Sequence, residues 1–128
     1  MNFELSSEEQ ALAETVRKFV DERVEPQMAQ IDATNKIPEA LFAEAAALGL
    51  FGISIPEEYG GSGLSRLSRV LVHQMLGRSG FCFAGALATH TGIGSDSLVA
   101  IGTEEQKRRY LPRMATGYLH AAVALTEP

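Results

Sequence analysis

The chain has 128 residues, 45% of them hydrophobic and 21% charged, enough for one domain with its own core. A formal charge of -5, with eleven Lys and Arg dispersed along the chain and only Lys107, Arg108 and Arg109 adjacent, argues against a phosphate-backbone partner, which needs clustered cations; the triplet reads as a solvated helix face and no nucleic acid is expected. Cys82 is the one cysteine, which excludes an intrachain disulfide, and the Cys/His spacing of a zinc site is absent, so no metal is expected.

The chain opens Met1-Asn2-Phe3-Glu4, with neither a basic n-region nor an apolar h-region, and carries no recognisable export signal. Ser6 followed by Glu9 is a capping-box pattern and predicts a helix start. Leu12, Val16, Phe19 and Val20 then form one apolar stripe, with charged residues around the rest. Pro26 either ends this helix or opens a short new one, which Met28 and Ile31 would anchor. Pro38 repeats the start signal, and Leu41, Phe42, Ala45 and Leu48 make a second stripe that Gly49 stops.

Ile53-Ser54-Ile55-Pro56 reads as extended connection, since Pro56 removes a ladder donor. Tyr59-Gly60-Gly61-Ser62-Gly63 lacks the Lys and Ser/Thr of a P-loop and reads as a flexible turn, not a phosphate cradle. Leu64, Leu67, Val70, Leu71, Met75 and Leu76 give the next helix a wide apolar arc, with His73 in its middle read as an ordinary packed or surface group. From Ser79 to Ser95 there is no Lys, Arg, Asp or Glu, but two Thr, a His and several Gly make the window a protein-buried helix, not a membrane span. Cys82 within it reads as a small buried apolar residue, lacking a basic neighbour to favour its thiolate.

Thr89-His90-Thr91-Gly92-Ile93-Gly94-Ser95 interrupts that run with hydroxyls and glycines, which predicts a helix that bends or loosens and polar groups in need of partners. His90, Ser95 and Asp96 do not form a catalytic triad, because residues five or six apart share no helix face. Thr103-Glu104-Glu105-Gln106 is a second capping box, and Tyr110, Leu111 and Met114 mark the buried side of the last helix, which Pro112 disturbs and Gly117 ends. Ala121 to Leu125 reads as a short buried strand with no second strand to pair with. The expected fold is all-α, an orthogonal bundle of five or six helices with one short strand at its C-terminal end.

Three motifs in this order are specific. Gly49-Leu50-Phe51-Gly52-Ile53 leads into Pro56-Glu57-Glu58-Tyr59-Gly60-Gly61; then come Gly102-Thr103-Glu104-Glu105-Gln106-Lys107 with Tyr110-Leu111-Pro112; then Ala124-Leu125-Thr126-Glu127-Pro128. In them the chain resembles the N-terminal helical domain of acyl-CoA dehydrogenases, whose full chains run to about three times this length. The resemblance implies a helical domain over residues 1–118 and, over 119–128, the first strand of a β domain that would continue past Pro128.

It further implies an FAD-dependent α,β-desaturation of an acyl-CoA thioester, with electron-transfer flavoprotein as acceptor and a homotetramer in the full-length protein, in the cytoplasm or the mitochondrial matrix. Leu125 and Thr126 would lie beside the flavin ring, and Gly85, Ala88 and Thr89 would line the acyl cavity, although small residues there also suit close helix packing. The family's catalytic glutamate lies in its C-terminal domain, so no residue here inherits that role, and the 128-residue piece alone is expected to be inactive. The alternative from another class is a stand-alone helical interaction module derived from the family.

Overall fold

A computed structural model describes residues 4–126; residues 1–3, and Glu127 and Pro128 of the last motif, lie outside it. Among the described residues the chain forms seven α-helices joined into five continuous helical stretches: α1 Ser7–Phe19 leading to α2 Met28–Thr34, then α3 Glu39–Ala47, α4 Arg66–Leu76, α5 Phe81–Thr89 running into α6 Ser95–Ile101, and α7 Glu104–Ala115. None of these helices is long and apolar enough to cross a membrane.

The chain divides into two compact units. The first comprises residues 1–38 and 65–84. Helix α1 starts where the capping box sets it: the Ser6 hydroxyl accepts the Glu9 N–H at 3.2 Å, and the Glu9 carboxylate accepts the Ser6 N–H at 2.9 Å. Such a cap stabilises a helix by about 1 kcal/mol. One π-helical turn, Val20–Val24, and a 3₁₀ turn containing Pro26 carry the chain into α2, where Met28 and Ile31 are buried as their spacing predicts. Helices α1 and α4 pack together, and Phe19 meets Phe83 with ring centroids 6.0 Å apart.

The arc of α4 is narrower than the sequence suggests. Leu71, Val72 and Leu76 are buried, but Leu67 and Val70 are exposed, because the stripe facing α1 runs through the Ser68 side of the helix. Cys82 and Phe81 also correct the sequence reading. Both are exposed, Phe81 at 89%, since the buried side of α5 runs through Phe83 and Leu87, four residues apart on one face that excludes positions 81 and 82.

The second unit comprises residues 39–64 and 85–128. Helix α3 ends at Gly49, whose φ of 73° is the left-handed stop expected there. Residues 53–55 are not extended, and only Pro56, with ψ 151°, keeps the expected extended backbone. A 3₁₀ turn, Leu50–Gly52, leads into a tight turn that buries Ile53 and Ile55, and their carbonyls accept the N–H groups of Leu64 and Gly63 at 2.8 and 2.9 Å. Burying two β-branched side chains drives the wrapping, and the glycines beyond them let the backbone fold back.

Helix α7 begins at its capping box, with Gln106 N–H to the Thr103 hydroxyl at 3.2 Å and Thr103 N–H to the Gln106 amide oxygen at 2.9 Å. It continues through Pro112 to Ala115 and is followed by Gly117 with φ 72°. Among the described residues no strand forms. The tail from 119 to 126 has no regular structure, which corrects the expected strand over 121–125: a ladder needs a neighbouring strand to receive its N–H and C=O groups, and none is present there.

Candidate functional site

The first two sequence motifs and the start of the tail converge on one apolar cluster of the second unit. Ile55 and Tyr59 from the first motif and Leu111, Met114 and Ala115 from α7 are buried together, with Leu98, Val99, Tyr110, Leu119 and Ala121 packed partly buried against them. Tyr59 also crosses to the second motif through its hydroxyl, which donates to both Glu104 carboxylate oxygens at 3.0 and 3.2 Å. Glu104 in turn holds the Arg108 guanidinium at 2.7 Å. Loss of water around Tyr59, and after it the hydrogen bond to the Glu104 carboxylate, raise its phenol pKa above the ordinary value.

The glycine-rich turn between these motifs does not cradle an anion. Its N–H groups are engaged: Gly61 donates to the Pro56 carbonyl at 3.2 Å, Ser62 to Gly52 at 2.9 Å and Gly63 to Ile55 at 2.9 Å. The flexible turn read from composition is therefore a pinned one.

The loosened helix predicted after Thr89 is one π-helical turn, His90–Gly94, between α5 and α6. A widened turn re-aims the side chains on it, and here it buries His90, Thr91 and Ser95. Thr91 donates back to the Leu87 carbonyl at 2.8 Å. Ser95 shares a 2.8 Å hydrogen bond with Ser54, so its hydroxyl is engaged away from His90, and no triad forms.

His90 is 1% exposed. Its Nδ1 accepts the Ala121 backbone N–H at 3.1 Å. An amide can only donate, so Nδ1 is unprotonated and the neutral ring carries its proton on Nε2. That Nε2 is buried and makes no well-aligned hydrogen bond, although the backbone carbonyls of Met114 and Phe51 act on the ring. Burial, and then the nearby His120, push the His90 pKa below the usual histidine value, against a weaker pull from the carbonyls of Met114 and Phe51.

The tail is held at three consecutive residues. Leu119 N–H donates to the Arg113 carbonyl at 3.0 Å. The His120 ring stacks on Phe51 with centroids 4.8 Å apart and meets the edge of Phe42 at 5.0 Å. Ala121 binds His90, and its close approach depends on Gly94, where an added Cβ would fall 2.3 Å from the Ala121 Cβ. Beyond Ala121 the chain opens. Leu125 is 79% exposed, Thr126 is exposed, and among the described residues no hydrogen bond engages the backbone of either.

Gly85, Ala88 and Thr89 lie at i, i+3 and i+4 on α5 and so share one face. Ala88 is exposed and the other two are half-buried. The sequence reading missed Phe42, Phe51 and His120, which grip the tail. The histidines His90 and His120 were the signal, but nothing in their spacing brings residues thirty apart together.

The chain matches the family described as acyl-CoA dehydrogenase, N-terminal domain, over residues 6–118. It belongs to that family. It is 37% identical, over its whole length and 34% of the relative's, to a probable acyl-CoA dehydrogenase, YngJ, of Bacillus subtilis (strain 168). Among solved structures it resembles an acyl-CoA dehydrogenase complexed with FAD from Bacillus anthracis, with 42% identity and a TM-score of 0.87 over 98% of this chain and 21% of that one. It also resembles a chain in a structure described as the electron transferring flavoprotein of Acidaminococcus fermentans, with 30% identity and a TM-score of 0.91 over all of this chain and 34% of that one. The chain thus spans about a third or less of the length of these relatives.

Proposed function

We propose that this chain supplies the N-terminal domain of an FAD-dependent acyl-CoA dehydrogenase, which introduces an α,β double bond into an acyl-CoA thioester. The observation that carries the reading is the family match over residues 6–118 followed by a tail anchored through Ala121 that leaves Leu125 and Thr126 open. Open backbone groups and a threonine hydroxyl suit the polar edge of a flavin, where hydrogen bonds favour negative charge on the reduced ring. When bound, FAD supplies the hydride acceptance. No residue of this chain acts as the base; its residues orient the ring and shape the cavity.

In this reading Gly85, Ala88 and Thr89 form the wall of the acyl cavity, and their small side chains admit longer or branched acyl groups. The exposure of Ala88 supports a face turned towards a ligand. Residues 119–128 then start a β domain. Acyl-CoA thioesters are the substrates, electron-transfer flavoprotein the acceptor, the cytoplasm or mitochondrial matrix the compartment, and a homotetramer the assembly.

The test uses the full-length protein. FAD content is measured after purification, and visible flavin absorbance is followed anaerobically as acyl-CoA esters of increasing length are added. Bound FAD that acyl-CoA bleaches is the expected result; a protein without FAD, or FAD that no acyl-CoA reduces, overturns the reading. Gly85→Leu should shift the preference towards shorter esters, and an unchanged preference overturns the cavity assignment alone.

A further inference from the structure

His90 is almost fully buried, and leucine would fill the same space without burying a polar ring. What leucine lacks is the acceptor at Nδ1, and that acceptor meets the last hydrogen-bonded backbone group before the open segment carrying Leu125 and Thr126.

We propose that His90 is a positioning residue: its Nδ1 anchors the Ala121 amide and so fixes the point and direction from which Leu125 and Thr126 leave the helical domain. Three features make the anchor directional. The π-helical turn aims the ring inwards, and Phe51 meets it edge-on, with centroids 5.0 Å apart, which limits its tilt. Gly94, on the same turn, clears the space in which Ala121 sits. Phe51 also stacks on His120, so one ring braces both the anchoring histidine and the residue just before the anchored amide.

Among the described residues Ala121 carries the last hydrogen-bonded backbone group before Thr126, so its position sets where the open segment begins. The anchor stands on the geometry alone; its consequence for a cofactor rests on the proposed role of Leu125 and Thr126 at the flavin.

The experiment compares His90→Asn, His90→Gln and His90→Leu in the full-length protein. Hydrogen exchange is followed in a peptide covering residues 118–126 and in a control peptide from α1, together with the visible spectrum of bound FAD. Asn places its carbonyl oxygen near the Nδ1 position and retains an acceptor; Gln carries its oxygen one atom further out, and Leu has none. Exchange in the tail peptide should rise about tenfold in His90→Leu and His90→Gln, stay near wild type in His90→Asn, and be unchanged in α1 in all three. Should His90→Leu not fold, the Asn and Gln variants decide the matter between them. Slow exchange in His90→Gln, or exchange in His90→Asn as fast as in His90→Gln, overturns the anchor whatever the flavin does. Faster tail exchange with an unaltered flavin spectrum sustains the anchor and overturns the assignment of Leu125 and Thr126 to the cofactor.

Discussion

The Tyr59 hydroxyl donates to both oxygens of the Glu104 carboxylate and thereby ties the Glu57–Tyr59 turn to the first turn of α7. Phenylalanine at position 59 would keep the buried ring and remove only this bond, while Glu104 retains Arg108. Tyr59→Phe should lower stability by about 0.5–1.5 kcal/mol, read as a lower urea midpoint with unchanged slope. The raised phenol pKa adds a sign: the folded state prefers the protonated form, so this contribution is complete below the ordinary value of 10.0 and disappears as pH rises through the folded one. Alkaline unfolding should therefore be less steep in Tyr59→Phe.

Acid has the opposite effect at His90. Among the described residues the titratable side chain facing it is that of His120, while Phe51, Met114 and Ala121 present ring and backbone. The folded state binds the His90 proton less readily than the unfolded chain, whose value is near 6.5. Stability present above that value is lost as pH falls, until the folded His90 also titrates. Urea midpoints should decline between about pH 7 and about pH 5, and less so in His90→Asn.

Two glycines of the same π-helical turn make a matched pair. A Cβ at Gly94 would fall 2.3 Å from that of Ala121, whereas one at Gly92 would meet nothing within 4 Å. Gly94→Ala should destabilise by about 1–3 kcal/mol and free the tail. Gly92→Ala should be neutral or stabilising by up to about 1 kcal/mol, since alanine restricts the unfolded chain. Thermal melts of the two variants give the comparison.

Leu111 is fully buried at the centre of the cluster where the motifs meet. Leu111→Ala should cost about 2–5 kcal/mol through lost burial and the cavity left behind. Leu48, which is exposed at the end of α3, should lose less than about 1 kcal/mol on the same change. Chemical denaturation of both variants checks the contrast.

The helices were legible in the sequence because their signals are local. Ser6 with Glu9, Thr103 with Gln106, Gly49 and Gly117 each act within a turn or so of the backbone they shape, and each sits where its chemistry places it. The loosening after Thr89 was legible for the same reason: a cluster of hydroxyls and glycines weakens the regular ladder wherever it falls.

Tertiary structure alone decided which apolar residues face inwards and what the tail does. Leu67 and Val70 fit the helical period as well as Leu71 and Val72, and only the packing of α1 against α4 separates them. Phe81 and Cys82 lie in an uncharged run but turn outwards, because a run with no polar face carries no directional information. The run from Ala121 to Leu125 has the composition of a strand, yet a strand is defined by its partner, and the partner of Ala121 is a histidine ring thirty-one residues earlier. The sequence by itself determined the helices and the family; folding determined that His90, Phe51 and His120 meet the tail, because that meeting depends on contacts between residues distant in the chain.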